Sequence, residues 1–114
     1  MNRCITDERL EETGFSYTSS LINGKYKMTI LYTLMEFKVV RFNDMERYMG
    51  TISDKTLSSS LQELVEDGLV PREMYPQIPI PPRVEYSLTE AGQSLIPILD
   101  GMCEWGDVHR AKSG

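Results

Sequence analysis

Residues Ser53 to Val70, SDKTLSSSLQELVEDGLV, read as one complete helix with a start, a stop and two unlike faces. Ser53 is an N-cap residue whose hydroxyl can accept an orphan backbone N–H, and Asp54 sets negative charge on the positive end of the helix dipole. Gly68 supplies the stop. Leu57, Leu61, Leu64 and Val65 fall at i, i+4, i+7 and i+8, a single apolar stripe at helical period. The opposite face carries Lys55, Thr56, Ser59, Gln62 and Glu63, flanked by Ser58 and Ser60. Consecutive serines in mid-helix each give up roughly half a kcal/mol of helix propensity relative to alanine. Short hydroxyl side chains do let a helix approach a surface closely while still hydrogen bonding, as insertion into a DNA major groove requires. A solvated, serine-rich face accounts for the same residues.

The rest of the chain limits what such a helix can belong to. At 114 residues it is one domain, long enough for its own core. No apolar run reaches the roughly 20 residues of a membrane span, and MNRCITDERLEE lacks an apolar signal core, which predicts a cytoplasmic protein without a membrane partner. Two cysteines, Cys4 and Cys103, and one histidine, His109, form neither a zinc-ligand pattern nor a disulfide framework, so no metal or other cofactor is expected. A net charge of −5 and a pI near 4.8 oppose nucleic-acid binding by the chain as a whole. The charges are unevenly spread, however. Asp7, Glu8, Glu11 and Glu12 crowd the N-terminus and Asp100, Glu104 and Asp107 the C-terminus, whereas Lys25, Lys27, Lys38, Arg41, Arg47, Lys55, Arg72 and Arg83 occupy the middle.

In chain order, residues 1–14 read as a polar arm, mobile or docked on a partner subunit. Ser16 to Ile22 predicts a short helix, and after Gly24 the segment Lys25 to Glu36 predicts a helix with Tyr26, Ile30, Leu31 and Leu34 buried. Phe37 to Val40 suggests a short strand. Arg41 to Met49 predicts a further helix with Phe42, Met45 and Tyr48 inward, and Gly50-Thr51-Ile52 links it to the serine-rich helix as a helix-turn-helix. Beyond Gly68 the period falls to 2, predicting strands at Leu69 to Tyr75 and Val84 to Leu88. The intervening PQIPIPP, Pro76 to Pro82, cannot continue a ladder and forms a stiff projecting tip with Arg83 at its base. Thr89 then caps a helix predicted to run to Arg110, bent near Pro97 and Gly101, with Leu95, Ile98, Leu99, Met102 and Trp105 as its apolar face. A rod of about 33 Å exceeds what one such domain needs, so part of that face requires a partner.

These residues together resemble the HxlR-type transcriptional regulators, winged helix-turn-helix proteins close to the MarR family. The resemblance runs from about Ser20 to Trp105. Its most specific part is PPRVEYSLTEAG, Pro81 to Gly92, followed by LIPILDGMCEWG, Leu95 to Gly106, with INGKYK, RFNDM and ISDKTLSSSLQELVEDGLV upstream. It implies a mainly α (α+β) fold over residues 15–110: a winged helix-turn-helix with a two-stranded wing and a long C-terminal dimerisation helix, 89–110. It also implies a homodimer, joined through the N-terminal region and the last helix, that recognises a two-fold symmetric operator in double-stranded DNA. Lys55, Thr56, Ser58, Ser59 and Gln62 then become base- and groove-facing residues, Arg83 a wing contact and Lys25 a phosphate contact.

The chain departs from the family pattern in four places. Tyr26 replaces a usual tryptophan, Ser59 and Ser60 stand where relatives carry a glutamine pair, and the wing is about two residues longer. The cysteine that relatives place near Thr13 is absent, the nearest being Cys4. Because some family members sense electrophiles or oxidants through that thiol, Cys4 beside Arg3 is the candidate redox sensor. A small-molecule effector, unidentified by the sequence, is the other candidate input. The competing reading is a winged-helix interaction module whose acidic surface binds protein without specific DNA binding. No nucleophile–base pair, phosphate loop or ligand cluster points to an enzyme.

Overall fold

The structure, a computed structural model, describes residues 9–71 and 85–113. A single 3₁₀ turn, Leu10–Glu12, leads to α1 (Gly14–Ile22), which starts two residues before the predicted helix because Thr13 accepts the Ser16 N–H at 3.0 Å and caps it. There follow α2 (Lys27–Phe37), β1 (Val40–Arg41), α3 (Phe42–Met49), α4 (Asp54–Glu66), β2 (Glu85–Tyr86), α5 (Glu90–Gln93) and α6 (Ile96–Ser113). The architecture is mainly helical with a small antiparallel sheet, as a winged helix-turn-helix requires.

The core is the meeting of α2, α3 and α4. Ile30, Leu31 and Leu34 from α2, Met45 from α3, and Leu57, Leu61 and Leu64 from α4 are buried together with Val40, Ile52, Leu69, Val70, Leu88 and Leu99. The predicted stripes of α2 and α4 are therefore the seam, with Tyr26 and Val65 half-buried at its margins. On α3 the inward residues are Met45 and the half-buried Phe42 and Met49. Tyr48, predicted inward, is 52% exposed, its ring meeting Phe37 edge-on at 5.1 Å instead. On so short a helix, Phe42, Met45 and Met49, at i, i+3 and i+7, already fill the side facing the core.

Both ends of α4 follow from local chemistry. Ser53 accepts the Thr56 N–H at 3.2 Å, a cap that contributes about 1 kcal/mol. At the other end Gly68, at φ +82°, allows the Leu69 N–H to reach the Leu64 carbonyl and its own N–H to reach that of Val65, a Schellman closure with Leu64 and Leu69 both buried. That closure carries Leu69 and Val70 into the core, so the strand predicted from Leu69 does not begin there. Residues 72–84, which hold the remainder of that strand, the proline-rich tip and Arg83, lie outside the described residues. The second strand is present as Glu85–Tyr86, and its described partner is β1, paired Val40 with Tyr86 and Arg41 with Glu85.

The predicted continuous helix from Thr89 to Arg110 is two helices. Thr89 caps α5 through the Gly92 N–H at 3.0 Å, and its hydroxyl also donates to the Gly68 carbonyl at 2.6 Å. The chain then tightens at Ser94–Leu95 and restarts as α6. An unbroken helix would ask Pro97 for an N–H it lacks and press its ring on the Gln93 carbonyl; in the first turn of α6 neither demand arises. The bend thus falls ahead of Pro97.

Candidate nucleic-acid interface

With Leu57, Leu61 and Leu64 turned into the core, helical periodicity leaves Lys55, Ser58, Ser59 and Gln62 exposed on the far side of α4 and Thr56 half-buried at its edge. The first turns of this face are held by hydroxyls. Ser53 donates to the Thr56 hydroxyl at 3.0 Å, and the Ser59 hydroxyl donates to the Thr56 carbonyl at 3.1 Å, which leaves serine lone pairs facing outward as acceptors. Gln62 is engaged along the helix, its amide 3.3 Å from the Glu66 carboxylate.

The face is therefore graded. Its N-terminal half presents Asp54, Lys55 and hydroxyls, and its C-terminal half runs into Glu63, Glu66 and Asp67. Glu63, grouped with the polar face by periodicity, lies toward α2, where its carboxylate meets the Lys27 ammonium at 3.0 Å. Lys27 is the functional candidate the sequence reading missed, counted there simply among the central cations. Lys25 is exposed at the turn before α2, its ammonium 5.3 Å from the centre of the Tyr26 ring. Arg83 and Cys4 lie outside the described residues. Cys103 is a half-buried free thiol.

The five apolar residues expected on the last helix divide into two groups. Leu99 is 5% exposed and Leu95 half-buried, both packed against the subunit's own core. Ile98, Met102 and Trp105 stand half-exposed or more, and Val108 joins them. A second set of exposed apolar side chains, Leu10, Phe15 and Tyr17, lies near the N-terminus. Trp105 stacks on His109 with ring centres 3.8 Å apart, and His109 Nδ1 lies 2.9 Å from the Trp105 carbonyl oxygen. The spacing 98, 102, 105 extends naturally to 108, a signal available in the sequence.

Tyr32 is held above the usual phenol range by its hydrogen bond to Glu36 and the charge of that carboxylate, and burial raises Tyr86. Among the described residues no cluster of three or more His, Cys, Asp or Glu side chains could hold a metal ion, and no helix is long and apolar enough to cross a membrane.

Comparison with known proteins supports the same architecture. An HTH-type transcriptional regulator of Halalkalibacterium halodurans is 54% identical over 99 residues, covering 87% of this chain and 86% of that protein. The HTH-type transcriptional regulator YdzF of Bacillus subtilis is 46% identical over 98 residues, 86% of this chain and 88% of that one. Among solved structures, the redox regulator HypR in its reduced form superposes with a TM-score of 0.78 at 39% identity, over 90% of this chain and all of that one. The HxlR-like helix-turn-helix profile matches residues 21–113. The chain belongs to the HxlR-like helix-turn-helix family of transcriptional regulators.

Proposed function

We propose that the protein acts as a cytoplasmic homodimer that recognises a two-fold symmetric operator, with α4 in the major groove and the wing on the flanking backbone. The observation that carries this reading is the two-sidedness of α4: an apolar stripe sealed into the core, backed by an exposed polar face on which Lys55, Ser58, Ser59 and Gln62 stand among the carboxylates Asp54, Glu63 and Glu66. The exposed Ile98, Met102, Trp105 and Val108 supply the dimer face, with residues 1–14 as an arm docking on the partner. Two-fold pairing would set the two α4 helices on half-sites one helical turn, roughly 34 Å, apart.

Within this scheme the helix reads and the wing anchors. Thr56 and Ser59 offer single hydroxyls, whose discrimination falls at the low end of about 1–3 kcal/mol per good base contact. Lys25 and Arg83 hold phosphate, and such contacts weaken all sequences together when removed. Ser59→Ala is expected to lower affinity for operator more than for a scrambled duplex. Arg83→Ala should weaken both similarly and reduce the slope of log K against log salt by about one unit. Both variants are titrated on the two duplexes across a salt series. An unchanged slope for Arg83→Ala, or equal losses for Ser59→Ala, would overturn this division.

The redox response named for HypR is extended here to Cys4 alone. A thiol-reactive electrophile is expected to weaken operator binding by the parent protein and to leave Cys4→Ser unaffected. Equal responses would move the effect to Cys103. A small-molecule effector remains the alternative input.

A further inference from the structure

Lys27, Glu63 and Asp67 each oppose the dipole of their own helix. Lys27 is the first residue of α2, where the dipole is positive and no acidic residue occupies the first turn. Glu63 lies in the last turn of α4 and Asp67 is its C-cap, where the dipole is negative and no basic residue is present. Each placement is locally unfavourable. One tertiary contact reconciles all three: the Lys27 ammonium lies 3.0 Å from Glu63 and 3.7 Å from Asp67. Where local rules fail together and a single contact restores them, that contact is a specific constraint on the fold.

The clasp is also built from its other side. The Lys27 side chain is only 8% exposed. Gly24, at φ +144°, lays the backbone along its stem, where an added β-carbon would be in ordinary contact range of Lys27 Cδ and Cγ. An ammonium so enclosed depends on its carboxylate partners. Glu63 and Asp67, one turn apart, hold it from a single stripe of α4, and Ser59 and Thr56 lie on the same stripe one and two turns earlier.

We propose that Lys27 is a positioning residue for DNA recognition, whose clasp on Glu63 and Asp67 fixes the rotation of α4 about its own axis and thereby the placement of Thr56, Ser58 and Ser59 against base edges. This rests on the reading of α4 as the DNA-facing helix. The leucine seam packs the inner face of α4, and the clasp adds at its edge a directional contact that apolar packing lacks. A rotation of roughly 20° moves side-chain tips at the helix surface by about 2 Å, enough to break a hydrogen bond that tolerates only a few tenths of an ångström. The enclosed partner is the lysine; Glu63 and Asp67, at 58% and 33% exposure, meet it from the solvent side, so the clasp is a directional contact at the rim of the core.

The test begins with selection from a random duplex library by the wild-type protein, which defines the operator. Affinities for that duplex and a scrambled one are then measured for Lys27→Met, Lys27→Arg and the double variant Glu63→Gln/Asp67→Asn. Lys27→Met is expected to lower the operator-to-scrambled ratio by about tenfold, and Lys27→Arg to keep most of it. The double variant removes two negative charges, which on electrostatics alone would raise affinity for both duplexes and leave their ratio intact. Its ratio is expected to fall as well. An enriched operator with an unchanged ratio in the double variant overturns the positioning role, whether or not Lys27→Met folds. A wild-type protein that enriches no duplex overturns the DNA-facing reading, and this proposal with it.

Discussion

Gly92→Ala is expected to destabilise the fold by about 2–3 kcal/mol, the upper part of the range for forcing a group into a packed site. A β-carbon at this position would collide with the Leu69 carbonyl oxygen, and would also press on Leu88 Cδ2 at 3.1 Å and Cβ at 3.2 Å. The carbonyl is main chain and already engaged, accepting the Thr89 N–H at 3.0 Å. It cannot swing aside without losing that bond, and the neighbouring bond from the Thr89 hydroxyl to the Gly68 carbonyl lies at the same junction. This is where the end of α4 is tied to the start of α5, so relief of the clash would drag either the Schellman closure or the α5 cap. Thermal unfolding should fall by roughly 10 °C or more, at about 4–8 °C per kcal/mol for a domain of this size class. Gly101→Ala is the control, because a β-carbon there meets nothing within 4 Å. Equal melting temperatures for Gly92→Ala and wild type would show that the junction yields and that the close approach imposes no constraint.

What could be read from the sequence follows from how far each determinant reaches. The bounds of α4 were legible because Ser53 and Gly68 act within a turn of themselves, and its core face because Leu57, Leu61 and Leu64 repeat at helical period. The break at Ser94–Leu95 was not. Pro97 permits either a bent helix or a fresh start, and the tie of Thr89 to Gly68 and Leu69, distant in sequence, accompanies the second. Pairing of β2 with β1 was equally hidden, since two-residue strands carry too little alternation to name a partner. Leu95 and Leu99 look like Ile98 and Met102 in any apolar pattern, and only the packed subunit divides them between core and surface. Lys27 looks like any other lysine until Glu63 and Asp67 are brought to it.

The same division bears on charge. A chain with a net charge of −5 binds DNA only if its carboxylates are kept from the phosphates. On α4, Glu63, Glu66 and the C-cap Asp67 lie toward the C-terminal end, where two of them share one lysine, while the N-terminal half carries a single carboxylate, Asp54, beside Lys55 and uncharged hydroxyls. Local polarity, rather than the overall sum, is then what a groove would meet.

The double variant Met102→Glu/Trp105→Glu is expected to turn the proposed dimer into a monomer and to abolish operator binding while leaving the subunit folded. Both residues face outward, Trp105 at 65% exposure and Met102 at 51%, so a glutamate at either position enters no core. Leu99 and Leu95, which do pack inward, are untouched. Buried aromatic anchors at interfaces contribute about 2 kcal/mol or more each. Two-fold symmetry repeats every loss on both subunits, so Trp105 alone would remove about 4 kcal/mol, close to a thousandfold in dissociation constant. The glutamates add like charge near the axis to a helix that already carries Asp100, Glu104 and Asp107. Light scattering of the wild type should give twice the 13.1 kDa of one chain, and the variant 13.1 kDa, with the same far-ultraviolet dichroism. Operator affinity should fall to that of a scrambled duplex, because one α4 without its symmetry mate reads only half a site. A variant that stays dimeric would place the interface elsewhere, with the exposed Leu10, Phe15 and Tyr17 as the next surface to alter.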